Sequence, residues 1–453
     1  MYNAFRWLIG LAMGFYFRRI ERFHAERVPL SGPVLFTSNH PNSLTDSFVI
    51  GASVPRKVSF VATVQLFRFA PIKWILLRCG VIPINRTQDN PRAMKTVADA
   101  FEACFRVLET GEAVAIFPEG ITYDDANLKQ IKSGAGRMAL ELEQRHEGKL
   151  GLRICPVGLT YSQKERYRSD VLAHFGEPIQ AAEFLADYRE HRRECIQKLT
   201  DEIERRIAGL IVHLPKLEHE RVIAGVRRLY FEAVRVGEIS ADPVASRSDE
   251  LERAQKIVAA VERVYETEPE RANAFAERLD AYERLLARCR LSNEDVARLK
   301  SKRQVAARTV VGAIIAVVGA PIALYGWIHR LLPYALVKVA ARKLGQPGKK
   351  KAQASTASIL AGLVAFGIVY AIYILIFHWI FGWPASLWYA LSLPPASLLA
   401  HYYVRGGRKW LQHLRAVSVL LRARGLVHRL IEMRAALISE LEAERNRPAG
   451  VTL

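Results

Sequence analysis

The sequence predicts an α/β domain, a mixed sheet flanked by helices, over residues 33–215, followed by a charged α-helical module and an α-helical transmembrane region. Three observations predict this. Short apolar runs alternate with amphipathic stretches in the first half of the chain, residues 185–300 turn rich in Glu, Arg, Ala and Leu, and the stretch beyond residue 305 holds uncharged apolar segments as long as a bilayer is thick. With 453 residues the chain has room for two or three structural units rather than one core.

At the N-terminus, Trp7 to Phe17 is an apolar stretch followed directly by Arg18 and Arg19. It looks superficially like a signal peptide but has no small-residue cleavage site, and it is short for a span. An interfacial helix over residues 1–20, lying on or dipping into the membrane, fits better, with residues 1–32 as a lead-in.

Within residues 33–215, five apolar runs read as buried strands: 34–38, 58–62, 80–84, 113–117 and 154–159. Residues 92–109 and 133–145 have helical periodicity. Pro156 inside the last strand suggests a sheet edge or the wall of a ligand site, because proline cannot donate to a ladder. Leu66 to Leu77 mixes apolar residues with Arg68 and Lys73, and reads equally as an ordinary buried helix or as a segment lining an apolar site or sitting in the headgroup layer.

Residues 216–304 read as several charged amphipathic helices with no residue pattern that suggests chemistry. Residues 305–404 form the membrane region, with spans expected over about 356–379 and 383–404, the second interrupted by Pro394-Pro395. The short uncharged loop near Gly382, with Lys349-Lys350-Lys351 before and Arg405, Arg408 and Lys409 after, predicts a hairpin with both ends in the cytoplasm. Segment 309–328 is apolar but has basic residues on both sides, so a re-entrant hairpin breaking at Gly319-Ala320-Pro321 is preferred there over a crossing. Residues 405–453 form a last amphipathic helix, on the membrane surface or against the helical module.

The charge distribution narrows the function classes. The formal net charge is +20, yet from Val296 to Ile431 there is no Asp or Glu against 19 Lys and Arg, so nearly all the excess lies beside the apolar spans. That placement marks a cytoplasmic membrane face and attracts anionic lipid rather than nucleic acid; no zinc-finger spacing or RNA-binding aromatic signature accompanies it. Cys79, Cys104, Cys155, Cys195 and Cys289 form no C-x-x-C pair and read as reduced thiols in a cytosol-facing domain. No metal-ligand cluster and no P-loop are visible.

Chemistry concentrates in two segments, Asn39-His40-Pro41-Asn42-Ser43-Leu44-Thr45-Asp46 and Phe117-Pro118-Glu119-Gly120. A histidine oriented by a carboxylate is a general base near neutral pH. Six residues apart on one helix, His40 and Asp46 would point about 120° apart, so they meet only if the chain turns at Pro41-Asn42-Ser43. A surface histidine and a helix-start aspartate would leave the same letters. Arg86 ends a strand where a guanidinium can clamp phosphate, although taken alone it reads better as a solvated surface arginine; Gly120 lets the backbone approach a ligand, and Lys132 precedes a helix start that favours anions. Ser43 lacks the strand-turn-helix setting of an activated nucleophile.

Taken in order, these blocks resemble the glycerolipid acyltransferase superfamily, the family of lysophosphatidate acyltransferases, over residues about 33–180. The blocks of that family, NHx(4)D, G-x(5)-R, FPEG and a proline-bearing apolar strand, have counterparts in order at Asn39 to Asp46, Gly80 to Arg86, Phe117 to Gly120 and Ile154 to Val157, the first with one residue more. The look of the first and third blocks, with the membrane spans that follow, is nearest the subgroup of glycerol-3-phosphate/dihydroxyacetone-phosphate acyltransferases. One departure is the His-x(5)-Asp spacing, a residue longer than the commonest form. The resemblance implies that His40 is the general base and Asp46 its orienter, and that Arg86, Glu119, Gly120 and Lys132 bind the acceptor. It implies an integral membrane O-acyltransferase in phospholipid synthesis, with its catalytic domain on the cytoplasmic face and no cofactor. Acyl-CoA or an acyl-carrier protein would be the thioester co-substrate, glycerol 3-phosphate the acceptor, and membrane lipids the surroundings. A lysophosphatidate or other lysophospholipid acceptor is the alternative within the same chemistry. A non-catalytic scaffold for anionic lipid is the alternative from another class.

Overall fold

The computed structural model of the chain describes residues 2–67, 70–84, 94–120, 128–163, 166–213, 216–239, 246–299, 302–344 and 352–447. The backbone forms two compact units, Met1–His213 with Ala340–Leu360, and Leu214–Val339 with Ala361–Leu453.

The first unit opens with helix α1 (Tyr2–Tyr16) and strand β1 (Arg19–Phe23). There follow β2 (Val34–Ser38), α2 (Leu44–Ser53), β3 (Val58–Thr63), α3 (Ala70–Arg78), β4 (Ile82–Ile84), α4 (Met94–Glu109), β5 (Ala113–Ile116), α5 (Gly134–Arg145), β6 (Arg153–Tyr161), β7 (Asp170–Phe175), β8 (Ile179–Gln180) and α6 (Arg192–Gly209). The strands make one eight-stranded sheet in the order β1-β7-β6-β2-β5-β3-β4, with β8 beside β6. Strand β6 runs antiparallel to β7 and β8, and the other pairings are parallel, so the sheet is mixed.

Burial on both faces explains why the central strands read as unbroken apolar runs. Successive side chains on a strand point to opposite faces. Leu35, Val114 and Ile154 pack on one side with Leu108, Leu140 and Leu199 of α4, α5 and α6. Phe36, Ala115 and Val157 pack on the other with Met13 of α1 and Val49 of α2. All five thiols are free, four of them buried; burial pushes Cys104 and Cys155 up to about 12.

Two details of this sheet correct the sequence reading. Pro156 is not at an edge: β6 lies between β7 and β2. Its partner on the second side changes from β8, at Arg153 and Ile154, to β7, from Val157 onward, so the proline falls in the gap between two ladders and its missing N–H breaks neither. Residues 1–32 are also more than a lead-in, because β1 pairs with β7 from Arg19↔Asp170 to Phe23↔His174. The strand's Arg-Ile-Glu-Arg-Phe sequence suits a half-exposed edge and offers no apolar run to recognise. On α1, Ile9, Met13 and Tyr16 are buried while Trp7, Leu11 and Phe15 are exposed.

The second unit holds α7 (Glu220–Val236), α8 (Arg247–Thr267), α9 (Pro269–Cys289), α10 (Asn293–Leu299), most of α11 (Lys302–Leu344) and of α12 (Ala352–Arg422), and α13 (Arg424–Arg445). Leu229, Leu279, Val296, Leu430 and Leu437 share one core, so α13 packs against the helical module. Its Arg434 is fully buried and pairs with Glu238 at 2.8 Å.

The expected break at Gly319-Ala320-Pro321 is absent: α11 runs as one helix through Pro321 and Pro333. The Tyr403 hydroxyl donates to the Ala316 carbonyl, one turn before Pro321, at 2.5 Å and ties α11 to α12 there. Helix α12 does break, at Gly382, whose φ of 76° and ψ of 177° suit glycine. Across that break Phe377 stacks on Tyr389 with ring centroids 4.3 Å apart, as a helical hairpin requires. Gly312, Gly319 and Gly326 of α11 lie against Trp410, Tyr403 and Ala396 of α12. One set rises by sevens as the other falls, which defines an antiparallel heptad seam of closely approaching backbones. Val305–Ala340 and Ser358–Val419 are long and apolar enough to cross a membrane, and little of either is buried inside the protein.

Candidate active site

The site gathers at the carboxyl ends of three neighbouring strands, β2, β5 and β6, where loops of an α/β sheet can converge on a ligand. His40 follows β2, Glu119 follows β5, and Tyr161 ends β6.

The turn between His40 and Asp46 is made by Ser43, held at φ 53° and ψ −138°, a conformation that costs a non-glycine residue free energy. It lets α2 start at Leu44 with Asp46 in its first turn. The side chains meet: His40 Nδ1 lies 2.9 Å from Asp46 Oδ2. Asp46 is fully buried and His40 nearly so, at 0% and 12% side-chain exposure, which removes water as a competitor for the bond. Because a carboxylate only accepts, Nδ1 carries the hydrogen and Nε2 is the basic nitrogen. The imidazole stacks on Phe117, with centroids 4.0 Å apart and planes 17° from parallel.

The buried Asp46 charge is met by donors. Its Oδ2 also accepts from the Asn42 main-chain N–H at 2.7 Å, and its Oδ1 accepts from the Tyr161 hydroxyl at 2.7 Å. A buried carboxylate is tolerated only where its oxygens find such donors. Burial, reinforced by the adjacent Asp46 charge, holds the Tyr161 phenol well above its ordinary value, so it stays a neutral donor. Asn39, also buried, clips β2 to β6: its amide accepts from Leu159 N at 2.7 Å and donates to Leu159 O at 3.0 Å.

Glu119 is 4% exposed. Its Oε1 accepts from the main-chain N–H of His40 at 3.2 Å, so one oxygen of this side chain holds the loop that carries His40. Gly120 has φ +75°, and a Cβ there would lie 2.8 Å from Lys132 Nζ, which places that exposed ammonium against the Phe117–Gly120 turn. Lys132 N in turn donates to Pro118 O at 2.9 Å. Of the residues singled out in the sequence, His40, Asp46, Glu119, Gly120 and Lys132 therefore lie in one connected site; Arg86 lies outside the described residues. Among the described residues no group of three or more His, Cys, Asp and Glu side chains is arranged to hold a metal.

Tyr161 was not visible in the sequence as a site residue. Strand alternation could have found it: Cys155, Val157 and Leu159 face α2, and the next residue in that series is Tyr161. A polar ring on that face at the strand's end arrives where Asp46 begins its helix.

Residues 19–160 match the family model described as Acyltransferase, so this part of the chain is an acyltransferase-type domain, consistent with the resemblance to the glycerolipid acyltransferase superfamily. Among curated relatives, an uncharacterized acyltransferase of Schizosaccharomyces pombe is 23% identical over 316 residues, covering 51% of this chain and 47% of its own length. Glycerol-3-phosphate O-acyltransferase 1 of Saccharomyces cerevisiae is 23% identical over 317 residues, covering 51% of this chain and 42% of its own. Human 1-acyl-sn-glycerol-3-phosphate acyltransferase beta is 29% identical over 137 residues, covering 30% of this chain and 48% of its own. The chain thus aligns with less than half the length of each of these relatives.

Proposed function

We propose that the chain is a membrane-bound O-acyltransferase that moves a fatty acyl group from an acyl thioester, acyl-CoA or acyl-carrier protein, to glycerol 3-phosphate, forming lysophosphatidate. The observation that carries this reading is the 2.9 Å contact of His40 Nδ1 with the buried Asp46, which turns Nε2 into an oriented base. Nε2 takes the proton of a glycerol hydroxyl as its oxygen attacks the thioester carbonyl. The tetrahedral intermediate collapses, the C–S bond breaks, and the leaving thiolate takes the proton back from the imidazolium. The Asp46 carboxylate stabilises that cation without taking its proton, as in hydrolase triads. General-base assistance of this type contributes about 10² to 10⁴ in rate.

Lys132, exposed beside Gly120, is the described cation suited to the acceptor's phosphate, with Arg86 a further candidate. The yeast relative's name supports glycerol 3-phosphate as acceptor. The human relative's name favours a second reading, transfer to 1-acylglycerol 3-phosphate. Membrane attachment is supported by the two long apolar helices and by the exposed Trp7, Leu11 and Phe15 of α1. Basic residues on both outer flanks of the α12 hairpin favour a catalytic unit on the cytoplasmic face.

The test uses membranes from cells expressing the chain, supplied with labelled acyl-CoA or acyl-carrier protein and one acceptor at a time. Label in lysophosphatidate from glycerol 3-phosphate is expected. Label only with the 1-acyl acceptor selects the second reading. No transfer with either donor to any acceptor contradicts both and leaves a lipid-binding scaffold.

A further inference from the structure

We propose that Tyr161 is a positioning residue of the His40–Asp46 unit: its phenol fixes the second oxygen of Asp46 and thereby sets how strongly His40 takes a proton. The inference rests on the acid–base reading of His40.

The geometry gives the phenol a defined task. A carboxylate held at one oxygen can still turn about its Cβ–Cγ bond, and every such turn swings the acceptor away from the imidazole. Here Oδ2 faces His40 Nδ1 and Asn42 N while Oδ1 faces Tyr161, so both oxygens are held from opposite sides. The two anchors come from different elements, the α2 entry turn and the end of β6. Strand β6 is itself fixed two residues earlier, where Asn39 bonds both main-chain groups of Leu159. The ring of Tyr161 packs against Phe17 at 5.9 Å, which sets the direction of its hydroxyl.

Electrostatics follows from the same contact. A donor on Oδ1 draws charge away from Oδ2, so Asp46 attracts the imidazolium less strongly than it would alone. Removing the hydroxyl concentrates charge toward His40 and raises its proton affinity, while loosening its aim. The other charged groups around the dyad are Glu119 on the His40 main chain, Lys132 against Gly120, and Asp170 at the start of β7, paired with Arg18 just before β1. None of them is altered by a change at Tyr161.

The experiment takes the full chain in detergent and compares wild type, Tyr161→Phe, and the chain with 3-fluorotyrosine placed at 161. The first readout is the titration of the His40 Cε1–H resonance, assigned by its loss in His40→Ala; it needs no substrate. In Tyr161→Phe the His40 titration moves up by roughly 0.5 to 1 unit, a fraction of what one hydrogen bond to a charged group is worth. In the fluorotyrosine chain, whose phenol is the stronger donor, it moves down. The second readout is the pH profile of acyl transfer: the acid limb of kcat/KM shifts in the same two directions, and kcat of Tyr161→Phe falls by about tenfold or more at its optimum. A structural residue would change the folded fraction and scale the profile without moving the limb. Unmoved His40 titrations in both altered chains overturn the Tyr161 inference even where wild type transfers acyl groups. Shifted titrations in a chain that transfers nothing uphold it and sink the catalytic reading instead.

Discussion

The carboxylate of Glu119 accepts a hydrogen bond from the main-chain amide of His40, at 3.2 Å. The family resemblance assigns this glutamate to the acceptor, and a negative side chain is a poor neighbour for a phosphate. The observed contact gives it a second task, holding the loop that carries His40.

Glu119→Gln keeps an oxygen that can accept from His40 N, and Glu119→Ala does not. The glutamine variant is therefore expected to keep kcat within about tenfold of wild type. The alanine variant should lose about 10² in kcat, the cost of a misplaced catalytic group, with KM for glycerol 3-phosphate little changed in either. Steady-state kinetics in membranes checks this. A large rise in KM for both variants would return Glu119 to the acceptor site.

The pH dependence of folding should carry a signature of His174. Burial, aided by the nearby His24 and Arg27, lowers its value from 6.5 to about 4. His24 is held by Glu26 and Arg27 by Glu177. Folded, the ring stays neutral; unfolded, it gains a proton below about 6.5. Its contribution to stability is thus complete above pH 6.5 and is lost as the pH falls from there to about 4. Urea midpoints measured across that window should fall with pH in wild type and fall less in His174→Gln. Parallel curves for the two would contradict the assignment.

The seam between α11 and α12 predicts a contrast between two glycines. A methyl group on Gly326 would lie 2.0 Å from the Ala396 carbonyl oxygen, whereas one on Gly367 has nothing within 4 Å. Gly326→Ala is expected to destabilise the chain by about 1–3 kcal/mol through overpacking. Gly367→Ala should be neutral or stabilise by roughly 0.5–1 kcal/mol through helix propensity. Thermal unfolding in detergent separates them. Equal effects would mean that the seam does not form.

What was legible in the sequence, and what was not, follows physical lines. Strands β2, β3, β4, β5 and β6 announced themselves because the sheet is covered on both faces and leaves no polar alternation. Strand β1 did not, since an edge strand with two arginines and a glutamate pairs through its backbone alone. Strand β7 (Asp-Val-Leu-Ala-His-Phe) was passed over because its three-residue apolar centre is flanked by Asp170 and His174 and follows a charged loop. His40 and Asp46 could be named because base chemistry restricts residue type, and the need for a turn between them followed from helix geometry. Tyr161 escaped because its function is a contact across 115 residues, and any residue type could stand there until the register of β6 is known. Pro321 misled because proline is a helix breaker in water, while α11, an apolar helix packed against α12, carries it without a break.

The most direct measurement is the rate of acyl transfer to glycerol 3-phosphate by membranes carrying wild type, His40→Ala or Asp46→Asn, at matched amounts of inserted protein. The account predicts that both variants insert normally, that His40→Ala loses about 10² to 10⁴ in rate, and that Asp46→Asn loses a comparable factor. Transfer at near wild-type rates by either variant would contradict it.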